Sequence, residues 1–254
     1  MPELSAGRRT APSELVLIRH GESVGNVADR VAREKKAHRL DLDFRDPDTP
    51  LSEVGEEQAS AVGRWAARLG DGERPRVVLS SPYARALQTA RLAVAELGLR
   101  DCIDVDERLR ERDLGVFDGM TGAGIRHEYP EEAKRRDEVG KFYYRPPGGE
   151  SWTDVVARVR SVLTDIRAEY DEEKVWVFSH QAVIMSFRFV LESLDEPTLL
   201  GIDRDTPMGN CSMTRYARSE KGALELVHYA DTSAVESSGA PETHEESSGS
   251  GEHQ

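Results

Sequence analysis

Cysteine is scarce in this 254-residue chain, where Cys102 and Cys211 stand far apart and in no metal-like spacing. Between one structural disulfide and two reduced, inert thiols of a cytoplasmic protein, the second is expected. No apolar run approaches the roughly 18 residues of a membrane span. The first residues lack the apolar stretch of a secretory leader, and no internal repeat is visible. Basic excess is missing too. The formal net charge is −13, so no global field draws in nucleic acid and no such partner is expected. The glycine-rich Walker loop of P-loop nucleotide hydrolysis is absent. His38, His127, His228, His244 and His253 form no pair at metal-ligand spacing on a common helix, so neither a catalytic metal nor a cofactor is expected.

Hydrophobic residues make up 38% of the chain, a lean share for a packed domain. The ends explain it. Residues 1–12 read as a flexible segment, and residues 231–254, rich in Ser, Gly and Glu, as a disordered acidic tail that cannot offset its ordering entropy. Residues 13–230 are then one domain. No exposed apolar stripe specifies an oligomeric state.

Within that domain, short β-branched runs alternate with helical patterns. Leu15-Val16-Leu17-Ile18, Arg76-Val77-Val78-Leu79 and Val175-Trp176-Val177-Phe178 are continuous apolar runs of the buried-strand type. Residues 212–216 and 224–228 are further strands. Residues 52–69 form an amphipathic helix capped by Ser52, and residues 82–97 a second one with Pro in its first turn and Gly98 past its end. Residues 151–170 form a third, opened by a Ser151/Asp154 capping box. The pattern predicts an α/β fold, a three-layer sandwich with a mostly parallel sheet and helices on both faces.

The residues just after each apolar run are more informative than the runs themselves. The first run leads into Arg19-His20-Gly21-Glu22, the second into Ser80-Ser81-Pro82 and a helix carrying Arg85, the third into Ser179-His180-Gln181. In open α/β sheets ligands bind outside the carboxyl ends of the strands. Two histidines and two arginines are thereby delivered toward one place, and core packing requires no cations there. A neutral imidazole is a good nucleophile near pH 7. Arg19 beside it offers a planar fork matched to phosphate oxygens. Gly21 permits close backbone approach. Alone, Arg85 would be an ordinary helix arginine, but its place after a strand end makes it a second fork. His180 would add a further imidazole to a phosphoryl transfer state. An acid is also needed, and local chemistry does not separate Glu111 from Asp113.

These residues in this order resemble the histidine phosphatase superfamily, which includes cofactor-dependent phosphoglycerate mutases and fructose-2,6-bisphosphatases. The resemblance runs from about residue 14 to 229. Its parts are Arg19-His20-Gly21-Glu22-Ser23 with Asn26, Pro50-Leu51-Ser52-Glu53-Val54-Gly55 leading to Gln58-Ala59, and Ser80-Ser81-Pro82 with Arg85 and Gln88-Thr89-Ala90. Glu111, Gly149-Glu150-Ser151 and Ser179-His180 complete it. It implies a phosphoglycerate-mutase-like fold and a two-step reaction on a small phosphorylated metabolite. His20 would take the phosphoryl group, with Arg19, Arg85 and His180 holding its oxygens and Asn26 as a further ligand. Glu111, rather than Asp113, would be the proton donor and then the base that activates water.

A phosphatase is expected before a mutase, because the mutase branch carries a Tyr-Gly after its acid where this chain has Asp113-Leu114-Gly115. A non-catalytic binding module ranks below both, since every clamp residue is present. Residues 127–155 resemble the sugar-side segment of fructose-2,6-bisphosphatases, and Ser179-His180-Gln181-Ala182-Val183 extends the likeness, which points to Tyr129, Arg145 and Gln181 as substrate-binding residues. Two cations expected in that family are Gly148 and Met185 here. That argues for a monophosphate or a broad substrate range, with fructose 2,6-bisphosphate ranked below. The charged stretch of residues 27–49 is read as a loop over the mouth of the site. Its Arg30, Arg33, Lys35 and Lys36 either steer anions inward or form a solvated surface.

Overall fold

The protein is described from a computed structural model that covers residues 10–99 and 102–244. Among these, six strands form one sheet in the order β3-β2-β4-β1-β5-β6. They are β1 (Glu14–Arg19), β2 (Val77–Ser80), β3 (Ile103–Val105), β4 (Lys174–Ser179), β5 (Met213–Arg218) and β6 (Leu224–Asp231). The first four run parallel, while β5 pairs antiparallel with β1 and β6 with β5. The helices are α1 (Val24–Glu34), α2 (Glu53–Ala67), α3 (Ala84–Glu96), α4 (Gly122–Glu128), α5 (Pro130–Val139), α6 (Trp152–Glu169), α7 (Gln181–Leu191), α8 (Glu196–Asp205) and α9 (Ser233–Glu236).

The central strands are apolar throughout because both faces are covered. Leu15, Leu17, Val175 and Val177 pack on one face with α6 and α7. Val16, Ile18, Trp176 and Phe178 alternate to the other, against α2 and α3. Two of the three helix starts fall where the sequence puts them. The Ser52 hydroxyl accepts from the Gly55 amide, and Ser151 with Asp154 closes a full capping box. The third helix opens later, at Ala84, with Tyr83 as its cap, so Arg85 sits in its first turn.

The parallel register of β1 and β4 sets Arg19 beside Ser179. The next residues, His20 and His180, therefore leave the sheet side by side. From β1 the chain continues to α2 on one face, and from β4 it enters α7 on the other. That divergence opens a crevice at the carboxyl ends of the strands.

Three segments differ from expectation. Residues 27–49 are not simply a loop. They begin inside α1, whose start is a capping box of Ser23 and Asn26, and end in the 3-10 turn Asp46–Asp48. The helix is hard to see in the sequence because only Ala32 is buried on it. The expected acidic tail is also structured as far as it is described. β6 reaches Asp231, α9 buries Ala234 and Val235, and Ala240 is buried. Gln58 Nε2 donates to Pro241 O at 2.7 Å and to Thr243 Oγ1 at 2.9 Å, and the Asn210 amide donates to Thr243 O at 2.8 Å. A few small apolar side chains and partners for two buried amides are enough to order it. Residues 245–254 lie outside the described residues, as do residues 1–9 of the expected N-terminal segment. Ala11, just beyond, is buried and its amide donates to Asp171 Oδ1. Among the described residues no helix is long and apolar enough to cross a membrane, and Cys102 and Cys211 are both free.

Candidate active site

The turn after β1 carries His20, which is 3% exposed. Its Nδ1 lies 2.8 Å from Gly21 O. A carbonyl only accepts, so Nδ1 carries the proton and Nε2 keeps its lone pair. The turn is fixed from every side. The His20 amide donates to Ser179 O, while His20 O accepts from Asn210 Nδ2 and from the Cys211 amide. The Gly21 amide donates to Thr89 Oγ1, and the Glu22 amide to Gln58 Oε1. Gly21 is needed because α2 lies against it: a Cβ there would stand 2.5 Å from Gly55 O. At Gly55 a Cβ would stand 1.9 Å from Glu22 O.

His180 is fully buried, its ring centroid 5.2 Å from that of His20. Its Nε2 shares a 2.8 Å hydrogen bond with Ser81 Oγ, and the Tyr83 ring meets it edge-on at 5.4 Å. Both imidazoles are pushed well below the usual histidine range. Burial is the main cause in each, followed by the charge of Arg85, with Arg19 adding to both. Arg19, buried at the end of β1, donates to Met208 O. Arg85 is 5% exposed and donates to Asp46 of the 3-10 turn. Glu111 Oε2 lies 4.0 Å from His180 Nδ1, and its Oε1 accepts from the Arg112 amide at 2.7 Å.

These groups meet at a cleft of about 1270 Å³. His20, Asn26, Arg85, Glu111 and Gln181 line it, while Arg19 and His180 are buried and are not among its lining residues. Asn26 Oδ1 is committed to the Ser23 amide and hydroxyl, and Gln181 Nε2 donates to Asp203 Oδ1 at 2.9 Å. The other sugar-side expectations are not brought to the cleft. Tyr129 caps the junction of α4 and α5 and packs edge-on against Phe117 at 5.3 Å. Arg145 is turned to Asp154 on the surface. Neither is among the lining residues. Of the four cations weighed as a steering group, Arg33 alone lines the cleft, and Arg30 pairs instead with Glu22.

Sequence reasoning missed most of the far wall. Arg112, Arg126, Arg136 and Lys141 line it with Tyr144 and Trp152. Arg112 and Lys141 each lie 5.8 Å from the Trp152 ring, and Lys141 also pairs with Asp203 at 2.8 Å. Burial lowers the Arg112 pKa, the expected effect for a cation held partly out of water. A run of charged residues looks like any solvated helix until the fold shows which side faces the cleft. Among the described residues, no three His, Cys, Asp or Glu side chains converge as a metal site.

A family model described as the histidine phosphatase superfamily (branch 1) matches residues 15–232. A probable fructose-2,6-bisphosphatase of Schizosaccharomyces pombe is 32% identical over 177 residues, 69% of this chain and 37% of that protein. The chain thus spans about a third of the length of such curated yeast relatives. A 2,3-bisphosphoglycerate-dependent phosphoglycerate mutase of a Methylobacterium species is 34% identical over 197 residues, 74% of this chain and 85% of that one. The solved structure of a mycobacterial glucosyl-3-phosphoglycerate phosphatase superposes with a TM-score of 0.68 at 27% identity, covering 86% of this chain and 99% of that one.

Proposed function

This chain belongs to the histidine phosphatase superfamily, branch 1, and on that premise we propose that it is a metal-independent phosphatase of small phosphorylated metabolites working through a phosphohistidine on His20. The observation that carries the proposal is the His20 tautomer. With Nδ1–H donated to Gly21 O, the basic nitrogen is Nε2, held neutral beside two buried arginines.

In the first step Nε2 attacks phosphorus and the bond to the leaving oxygen breaks. Arg19, Arg85 and His180 hold the phosphoryl oxygens, and Asn26 borders them. Glu111 gives its proton to the departing alkoxide. In the second step Glu111, now a carboxylate, takes a proton from water as that water attacks phosphorus. The P–N bond breaks and inorganic phosphate leaves. Fixed cations supply the charge stabilisation that many phosphatases take from a metal. The far wall of Arg112, Arg136 and Lys141, with Asp203 and Gln181 between them, suits a polar remainder bearing hydroxyls or a negative group.

The test is turnover of para-nitrophenyl phosphate in EDTA by the wild-type protein and by His20→Ala. Turnover that survives chelation and is lost in the variant supports the reading; an active His20→Ala protein refutes it. A second reading, a mutase that returns the phosphoryl group to a sugar-acid hydroxyl, is favoured by the likeness to the Methylobacterium mutase. The fate of labelled phosphohistidine, passed to water or to a phosphoglycerate, separates the two.

A further inference from the structure

The charged stretch of residues 27–49, which brings Arg33 and Arg45 to the cleft, also sets an acid directly on Arg85. Arg85 Nη1 donates to the Asp46 carbonyl at 2.7 Å and lies 2.9 Å from Asp46 Oδ1. The turn that presents Asp46 is well anchored. Pro47 comes next, the Thr49 amide donates back to Asp46 O, and buried Thr49 donates its hydroxyl to Arg45 O. The Asp118 carboxyl accepts a hydrogen bond from the Asp46 backbone, and Tyr83 lies against the same arginine at 5.3 Å. A carboxylate held this firmly on a guanidinium neutralises part of the charge the arginine offers to anything else. A phosphoryl group that engages Arg85 must share it with a like-charged neighbour.

We propose that Asp46 is a built-in counter-ion of Arg85 that weakens the clamp's hold on free phosphate and so sets product affinity. The inference rests on the phosphatase reading of this site. Binding substrate and product more tightly does not lower the barrier between bound states. A clamp of two bare arginines would retain the phosphate dianion it has just released. Asp46 offsets that attraction while leaving the remaining donors of Arg85 available.

The test compares wild type, Asp46→Asn and Asp43→Asn for inhibition by inorganic phosphate and by orthovanadate, with para-nitrophenyl phosphate as substrate. Asp46→Asn keeps the backbone carbonyl contact and the shape of the turn. Asp43→Asn removes the same charge from the same segment at an exposed position that does not line the cleft. The expected result is about tenfold tighter inhibition by both anions in Asp46→Asn, the lower end of what one charge-assisted hydrogen bond contributes. KM should fall in the same direction, and Asp43→Asn should match wild type. If Asp46 served only to align Arg85, its loss would weaken anion binding, so unchanged or weaker inhibition overturns the proposal. Equal tightening in Asp43→Asn overturns it too, because net charge would then be the cause. A wild-type protein that neither turns over substrate nor binds vanadate removes the phosphatase reading itself, a separate outcome.

Discussion

Acidification should destabilise this fold through two particular side chains. His20 and His180 are 3% and 0% exposed, and burial with the charge of Arg85 holds both pKa values well below 6.5. On unfolding, each ring returns to an ordinary value of about 6.5 and takes up a proton. Between the folded and unfolded pKa values the unfolded chain binds more protons, so stability rises with pH across that window. The contribution is complete above about pH 6.5 and is lost as pH falls toward the folded value. With both rings neutral in the fold, each unfolded imidazole gains less than about 0.1 kcal/mol at pH 7.5 and about 1.4 kcal/mol at pH 5.5. The upper limit of the pair's cost to the fold between those conditions, reached if neither ring takes a proton in the fold, is therefore about 2.7 kcal/mol. Carboxylates also titrate as the solution is acidified, so a difference measurement isolates the histidines. Urea unfolding at the two pH values would be compared for wild type, His20→Asn, His180→Asn and the double variant. Each single variant should lose less than wild type on acidification, by up to about 1.3 kcal/mol, and the double variant should show the larger difference. Equal losses in all four proteins would refute the claim that the fold holds these imidazoles neutral.

Other outcomes come from the same geometry. Glu111→Gln should lower kcat on an alkyl phosphate by about 10²–10⁴-fold, the usual share of a general acid. The loss should be much smaller on para-nitrophenyl phosphate, whose leaving group needs little protonation. A leaving-group series checks this, and a loss that is the same across the series would assign Glu111 another role. Gly55→Ala puts a Cβ within 1.9 Å of Glu22 O, against backbone rather than a flexible side chain. It should cost at least about 1–3 kcal/mol in denaturant unfolding and displace the His20 turn. Ending the chain at Ser238 removes the partners of Gln58 Nε2 and of the Asn210 amide. A buried amide left unsatisfied costs about 1–3 kcal/mol, so thermal unfolding should move clearly downward. An unchanged midpoint would mean that water replaces Pro241 and Thr243 as partners.

The sheet and the residues at its carboxyl ends are legible in the sequence because they obey simple periodicities. Two-sided burial makes β1 and β4 continuous apolar runs, and the residues after such a run at the carboxyl edge are exposed to a ligand by the topology. His20, Arg85 and His180 stand out together for that reason, and the resemblance adds Glu111. The elements that fail to announce themselves are those whose stability is tertiary. Only Ala32 of α1 is buried, so its apolar stripe is too narrow to read. Residues 231–244 look too polar to fold, yet the segment beyond α9 is held at Pro241 and Thr243 by Gln58 and Asn210, residues far away in sequence. Tyr129 and Arg145 fall at plausible positions in a resembling segment, but Arg145 has a carboxylate partner of its own in Asp154. Spacing along a chain does not report which neighbour a guanidinium will choose.

In the proposed reaction the clamp and the nucleophile are electrostatically one device. Arg19 and Arg85 are the cations whose field disfavours a third positive charge on His20, after burial itself. They also meet the phosphoryl oxygens in the proposed reaction. A protonated imidazole has no lone pair to attack phosphorus, so cations placed for phosphate alone would be useless if they did not also keep the ring neutral. Burial makes both effects larger, because neither field is screened by water. An exposed histidine between exposed arginines would titrate near its ordinary value and lose its nucleophile in mild acid. Register supplies the rest. Because Arg19 pairs with Ser179 across parallel strands, the two imidazoles can only emerge as neighbours. One residue beyond buried Arg19, His20 lines the cleft.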